Sequence, residues 1–277
     1  MYRLFKGMKI LAILIWLGGI SSFAFIFLTN GWTDQLWYFI AFLFLMFFWF
    51  LTTVALTEII ATVKLWKIND LRSNKLLFQE FISSYQTLLA GNEKHTKGPK
   101  LKSQLKMYIL CNLSAGYYDM GNDEDAYRTL MLIDYFPDNR SGAMLKFVYY
   151  NNLFVYYHRK NNNEEMAQNI EQMKIALENK KLYKKNRIYY EDICHTKQML
   201  LNMKNGDYRD CEEYFEALVK KDNSLLEKLV DNYNLGEIYR HNKKSEKAKE
   251  VLNFILANGK DSYYASEAKK LLSQLDW

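Results

Sequence analysis

From Leu36 to Leu56 the chain reads LWYFIAFLFLMFFWFLTTVAL, twenty-one residues without a charge. At about 1.5 Å per residue this run makes a helix about 30 Å long, the thickness of a bilayer's hydrocarbon core. It predicts a transmembrane helix over about 36–57. An earlier apolar run, Ile10 to Leu28 (ILAILIWLGGISSFAFIFL), is also long enough to span. A signal peptide is the other reading of this run, since Arg3, Lys6 and Lys9 make a basic flank and Ser22-Phe23-Ala24 loosely resembles a cleavage site. Nineteen apolar residues exceed the usual signal core of about 7–15, which favours a second span over about 10–28.

Beyond Leu56 the pattern continues as TEIIATVKLWKINDL, an exit helix that leaves the lipid near Lys64 and ends at about residue 73. Apolar positions then recur at helical spacing in Leu76, Leu77, Phe81, Tyr85, Leu88 and Leu89, which predicts a helix over about 74–90. Gly91 and the polar stretch to Pro99 predict a loop. Thereafter the patterning is helical to the end, where Asp261 is the expected N-cap of a last, solvating helix. The chain reads as an all-α protein with a membrane anchor, 1–73, and a soluble domain, 74–277.

Within the soluble part the pattern repeats. Leu113, Ser114, Tyr117, Gly121, Ala126 and Leu130 share their offsets with Leu235, Gly236, Tyr239, Ala248 and Leu252. Leu153, Tyr157, Met166 and Ile170 keep the same register, and Gly206, Tyr208, Cys211 and Phe215 match a second helix, with Asn202 where the aromatic should stand. Over residues 105–275 these spacings resemble the tetratricopeptide repeat (TPR), although Ala126, Met166, Cys211 and Ala248 are 40, 45 and 37 residues apart rather than the family's roughly 34.

The resemblance implies an α-solenoid of antiparallel helix pairs with Tyr117, Tyr157 and Tyr239 in the core. It places Tyr118, Asn151, His158, Arg159, Tyr233, Arg240 and His241 on a concave, protein-binding face. Cations and aromatics there suit an acidic or C-terminal peptide. The carboxylate clamp of chaperone-binding members is incomplete, because Cys111 and Ala115 occupy positions where it needs Lys and Asn.

Charge decides orientation. Arg3, Lys6 and Lys9 precede the first span, and Lys64, Lys67, Arg72 and Lys75 follow the second, while the connector Thr29–Gln35 has no Lys or Arg. Cations are retained on the cytoplasmic side. The expectation is a multi-pass plasma-membrane protein with both termini in the cytoplasm. Neither span holds an ionisable residue, which argues against an ion pathway or intramembrane catalysis. The small residues Gly18, Gly19, Ser21 and Ser22 suit close helix packing within the hairpin or against another subunit.

With 37 basic and 31 acidic residues the balance is too even for a nucleic-acid binder. The basic clusters Lys94–Lys106, Lys180–Arg187 and Lys243–Lys249 read as solvated helix ends, the first also within reach of anionic lipid. Three widely spaced cysteines suit a reducing compartment. Cys194-His195 is the one dipeptide suggestive of a metal or thiol nucleophile, and no partner lies at ligand spacing. Abundant Lys, Asn, Ile and Tyr resemble bacterial proteins of AT-rich genomes. No catalytic residue, cofactor or metal is expected. The reading is a membrane-anchored scaffold or adaptor that recruits a protein or peptide partner; the alternative is a membrane-tethered sensor or regulator whose repeats bind a small ligand or short peptide.

Overall fold

The computed structural model describes residues 17–18, 21, 35–95, 99–178, 184–221 and 223–275. These form eleven α-helices, with no strand among the described residues. The chain divides into two units, Met1–Ile68 and Asn69–Trp277. The expected first span and its connector lie almost wholly outside the described residues.

Helix α1, Gln35–Ser73, carries the first unit and contributes its last turn to the second. Between Leu43 and Ser73 it is long and apolar enough to cross a membrane. Leu43, Phe44, Leu45 and every residue from Phe47 to Leu51 are between 43% and 71% exposed. Consecutive exposed apolar side chains point all around the helix, whereas the surface helix of a soluble domain keeps them to one stripe. The hydroxyls of Thr52 and Thr53 donate to the Trp49 carbonyl at 2.8 and 2.9 Å. They thus need no water, as hydrocarbon surroundings require.

The second unit continues with α2 (Phe78–His95), α3 (Pro99–Asp119), α4 (Asp123–Leu130), α5 (Arg140–Arg159), α6 (Asn163–Leu177), α7 (Lys184–Lys204), α8 (Cys211–Val219), α9 (Leu225–His241), α10 (Ser245–Asn258) and α11 (Tyr263–Ser273). Consecutive helices pack on one another along the unit. Three boundaries differ from expectation. Helix α2 begins at Phe78 rather than 74, because Leu76 turns left-handed (φ 52°). It then runs through Gly91 to His95, since a helical glycine costs only about 1 kcal/mol against alanine and does not by itself stop a helix. The N-cap of α11 is Ser262, whose hydroxyl accepts from the Ala265 N–H at 3.1 Å, and not Asp261.

One turn occurs four times. Asn122 N–H donates to the Tyr117 carbonyl, Asn162 to Tyr157, Asp207 to Asn202 and Lys244 to Tyr239, at 2.8–3.0 Å. The residue before each donor is left-handed: Gly121, Asn161, Gly206 and Lys243. This is the bond pattern of a Schellman helix stop. Four residues after each donor stands a fully buried side chain, in turn Ala126, Met166, Cys211 and Ala248. The register therefore survives where the sequence departs from it. Asn202 serves in place of an aromatic because its backbone carbonyl makes the bond, and Met166 fits because an unbranched thioether adapts to irregular space.

Around these turns lie clusters that join successive pairs, the largest running from Phe154 through Met166, Leu200, Cys211, Phe215 and Ile238 to Ala248. The unit also returns on itself. Leu76 and Phe78, at its beginning, share a buried cluster with Leu226, Leu229, Leu252, Ile255 and Leu271. Lys260 Nζ donates to the Lys75 carbonyl at 2.6 Å.

A left-handed conformation costs an L-residue about 1–2 kcal/mol and glycine almost nothing. Lys243→Gly should therefore stabilise the protein by about 0.5–1 kcal/mol, and Gly121→Ala should destabilise it by about 1 kcal/mol. Thermal unfolding of the two variants checks both signs; the same sign for both would show that the turn is not under this constraint.

Candidate ligand-binding cavity

The second unit has an open cavity of about 280 Å³. Its walls come from the first helices of three successive pairs: α5 supplies Phe154, His158 and Arg159, α7 supplies Lys197 and Lys204, and α9 supplies Tyr233 and Glu237. Helix α11 borders it with Tyr263, Tyr264 and Glu267. The lining residues of each helix recur at spacings of three, four and seven, with some adjacent pairs, and so share one broad helical face.

Arg159 is the most constrained of them. Its side chain is 5% exposed and ion-paired with Asp123. The same nitrogen donates to the Tyr118 carbonyl at 2.9 Å, and the guanidinium lies 3.4 Å from the centre of the Tyr263 ring. His158 stacks beside Phe154, ring centres 6.0 Å apart. Burial, with Lys204, Lys197 and Arg159 nearby, pushes its pKa down to about 3, so the imidazole is neutral at physiological pH. Burial likewise lowers the Lys197 ammonium to about 8 and raises the Glu237 carboxyl above its ordinary value.

The expected binding residues do not form one face. His158, Arg159 and Tyr233 line the cavity. Tyr118 is 3% exposed, inside a core cluster and not on a concave surface. Its neighbour Tyr117, expected in the core, is half-buried, and its hydroxyl accepts from Gln86 at 3.1 Å. The two had to lie about 100° apart, and the helix is rotated so that the second faces inward. Tyr157 is half-buried and Tyr239 buried. Asn151 sits away from the cavity, with its carbonyl oxygen buried and unpartnered among the described residues. Arg240 and His241 are exposed, and His241 stacks flat on Tyr208 at 3.7 Å, on a separate shallow surface.

No known protein family, curated protein or solved structure matches this chain.

Chemistry elsewhere is sparse. No group of three or more His, Cys, Asp or Glu side chains that could hold a metal ion occurs among the described residues. Cys111, Cys194 and Cys211 are buried free thiols. Burial raises all three, Cys111 to about 12, so none is poised as a thiolate. His195 is exposed, edge-on to the Tyr214 ring.

Sequence spacing missed Lys197, Lys204, Glu237 and the residues of α11. The i, i+7 pair Lys197–Lys204 and the i, i+4 pair Tyr233–Glu237 were available as signals, but nothing in the pattern indicates that α11 covers them.

The repeat register places Arg159 on an accessible binding face. Its burial reverses that. Removing one partner of a buried ion pair typically costs about 3–5 kcal/mol, so Arg159→Glu should destabilise the protein by several kcal/mol in a denaturant titration. Arg240→Glu should change stability by less than about 0.5 kcal/mol. Equal, small effects would remove Arg159 from the structural network.

Proposed function

We propose that this chain is a non-enzymatic, TPR-like binding protein held at the bacterial plasma membrane by a two-helix hairpin, with both termini in the cytoplasm, and that it acts as a sensor or regulator by taking a small ligand or short peptide into its helical domain. The observation that carries this reading is the cavity itself, bounded by the inner faces of successive first helices and lined by charged and aromatic side chains. Its volume lies just below the range of about 300–1,000 Å³ common to small-molecule sites. The four equivalent helix turns support the repeat assignment. The exposed apolar helix supports tethering, and the distribution of flanking cations supports its direction.

A second reading, the scaffold or adaptor that recruits a protein at the membrane, draws on a different surface. Met131, Leu132 and Tyr135, between α4 and α5, are 44%, 59% and 58% exposed. Clustered exposed apolar side chains are a common mark of protein interaction.

Thermal unfolding of the full chain in detergent micelles, against a metabolite library, separates the two. A ligand present at about 100 times its Kd stabilises by about 2.7 kcal/mol, and Val230→Phe, which narrows the cavity, should reduce that response. Absence of any stabilising compound, with crosslinked partners lost on Leu132→Asp, would put the adaptor ahead.

Topology is tested independently. The native cysteines are too buried to report it, whereas Glu246 has a 92% exposed side chain. In intact cells Glu246→Cys should escape a membrane-impermeant maleimide and Asn30→Cys should react; the converse pattern would invert the orientation.

A further inference from the structure

The charges that line the cavity differ in how they are satisfied. Arg159 has Asp123. Glu267 is paired with Lys270 at 2.6 Å, and Lys204 Nζ donates to the Asn161 side-chain oxygen at 2.8 Å. Lys197 and Glu237 stand apart, because neither forms an ion pair with any described residue. Lys197 lies over the Phe154 ring, 5.1 Å from its centre, with the Asp231 carboxylate acting on it from beyond ion-pair contact. Glu237 accepts one long bond, 3.5 Å, from the Tyr233 hydroxyl, and Lys204 and Arg240 act on it from beyond ion-pair contact.

Both are withdrawn from full solvent, where an unpaired charge is unfavourable. They are also of opposite sign and do not neutralise each other. A ligand with a single charge would relieve one and leave the other. A ligand with one charge of each sign would relieve both.

We propose that the cavity binds a small zwitterion, a free amino acid or a molecule of similar size, with Lys197 opposite its carboxylate and Glu237 opposite its ammonium. This deepens the ligand reading above and rests on it. The volume, about 280 Å³, admits such a molecule. The rings of Tyr233, Tyr263, Tyr264 and Phe154 also line the cavity. Burial lowers the pKa of Lys197 and raises that of Glu237, so a counter-charge on a ligand would favour the ionised form of each.

The experiment uses the full chain in detergent micelles and, as probes, the free L-amino acids beside their N-acetyl and C-amide derivatives. At least one free amino acid should raise the melting temperature, and capping either end should weaken its binding by roughly tenfold or more, the scale of a close charge pair. Lys197→Met should lose the response to that amino acid. Glu237→Gln, nearly isosteric, should lose the preference for the free ammonium and take the N-acetyl derivative as readily as the free form.

Capped and free forms that stabilise equally would overturn the zwitterion assignment. So would a library in which only compounds without paired charges bind, and in both cases the ligand reading would stand. No response to any compound would remove the two together.

Discussion

A guanidinium that is almost wholly withdrawn from water must meet fixed acceptors, and in this protein one such group determines where three distant segments go. Arg159, at the end of α5, is held by the Tyr118 carbonyl at the end of α3, by Asp123 at the start of α4 and by the Tyr263 ring of α11. The first and second helix pairs and the terminal helix are thereby brought to one point. Arg72 and Asp119 make a second such pair, in which Asp119 is 7% exposed. Buried ion pairs add little net stability against an apolar alternative but are costly to break. Their effect here is to select one arrangement, the one in which α11 lies across the inner helix faces and leaves a cavity beneath it.

The two units obey opposite burial rules. In α1 the apolar side chains face outward on all sides and the threonine hydroxyls bond inward to their own helix. In the second unit most large apolar residues lie in clusters between helices. The same residue types carry both arrangements, so composition alone does not decide how a stretch is read.

What was legible in the sequence was whatever depends on spacing along one helix or across one turn. The helical class, the uncharged run and the buried markers Ala126, Met166, Cys211 and Ala248 are of this kind, because each follows from periodicity and a backbone turn. Tyr117 and Tyr118 both pack in one core cluster, Tyr118 the more deeply, since adjacency fixes the angle between two side chains and not which of them is the more buried. Arg159 was misread as solvent-facing because Asp123, its partner, lies 36 positions away and only the tertiary fold joins them. The cavity was half legible. Its α5 and α9 walls contain His158, Arg159 and Tyr233, which the repeat register singled out, whereas its α7 wall and its α11 cover depend on how the unit curls.

The contact between the first and last segments of the second unit has a consequence for how it comes apart. In an open array of helix pairs each pair touches only its neighbours, so the ends are the weakest places and can melt while the middle persists. Here Leu76 and Phe78 are packed against Leu226, Leu229 and Leu271, and the outermost helices protect each other. Melting from either of these segments must first break the cluster that they share, so the loss of one exposes the other.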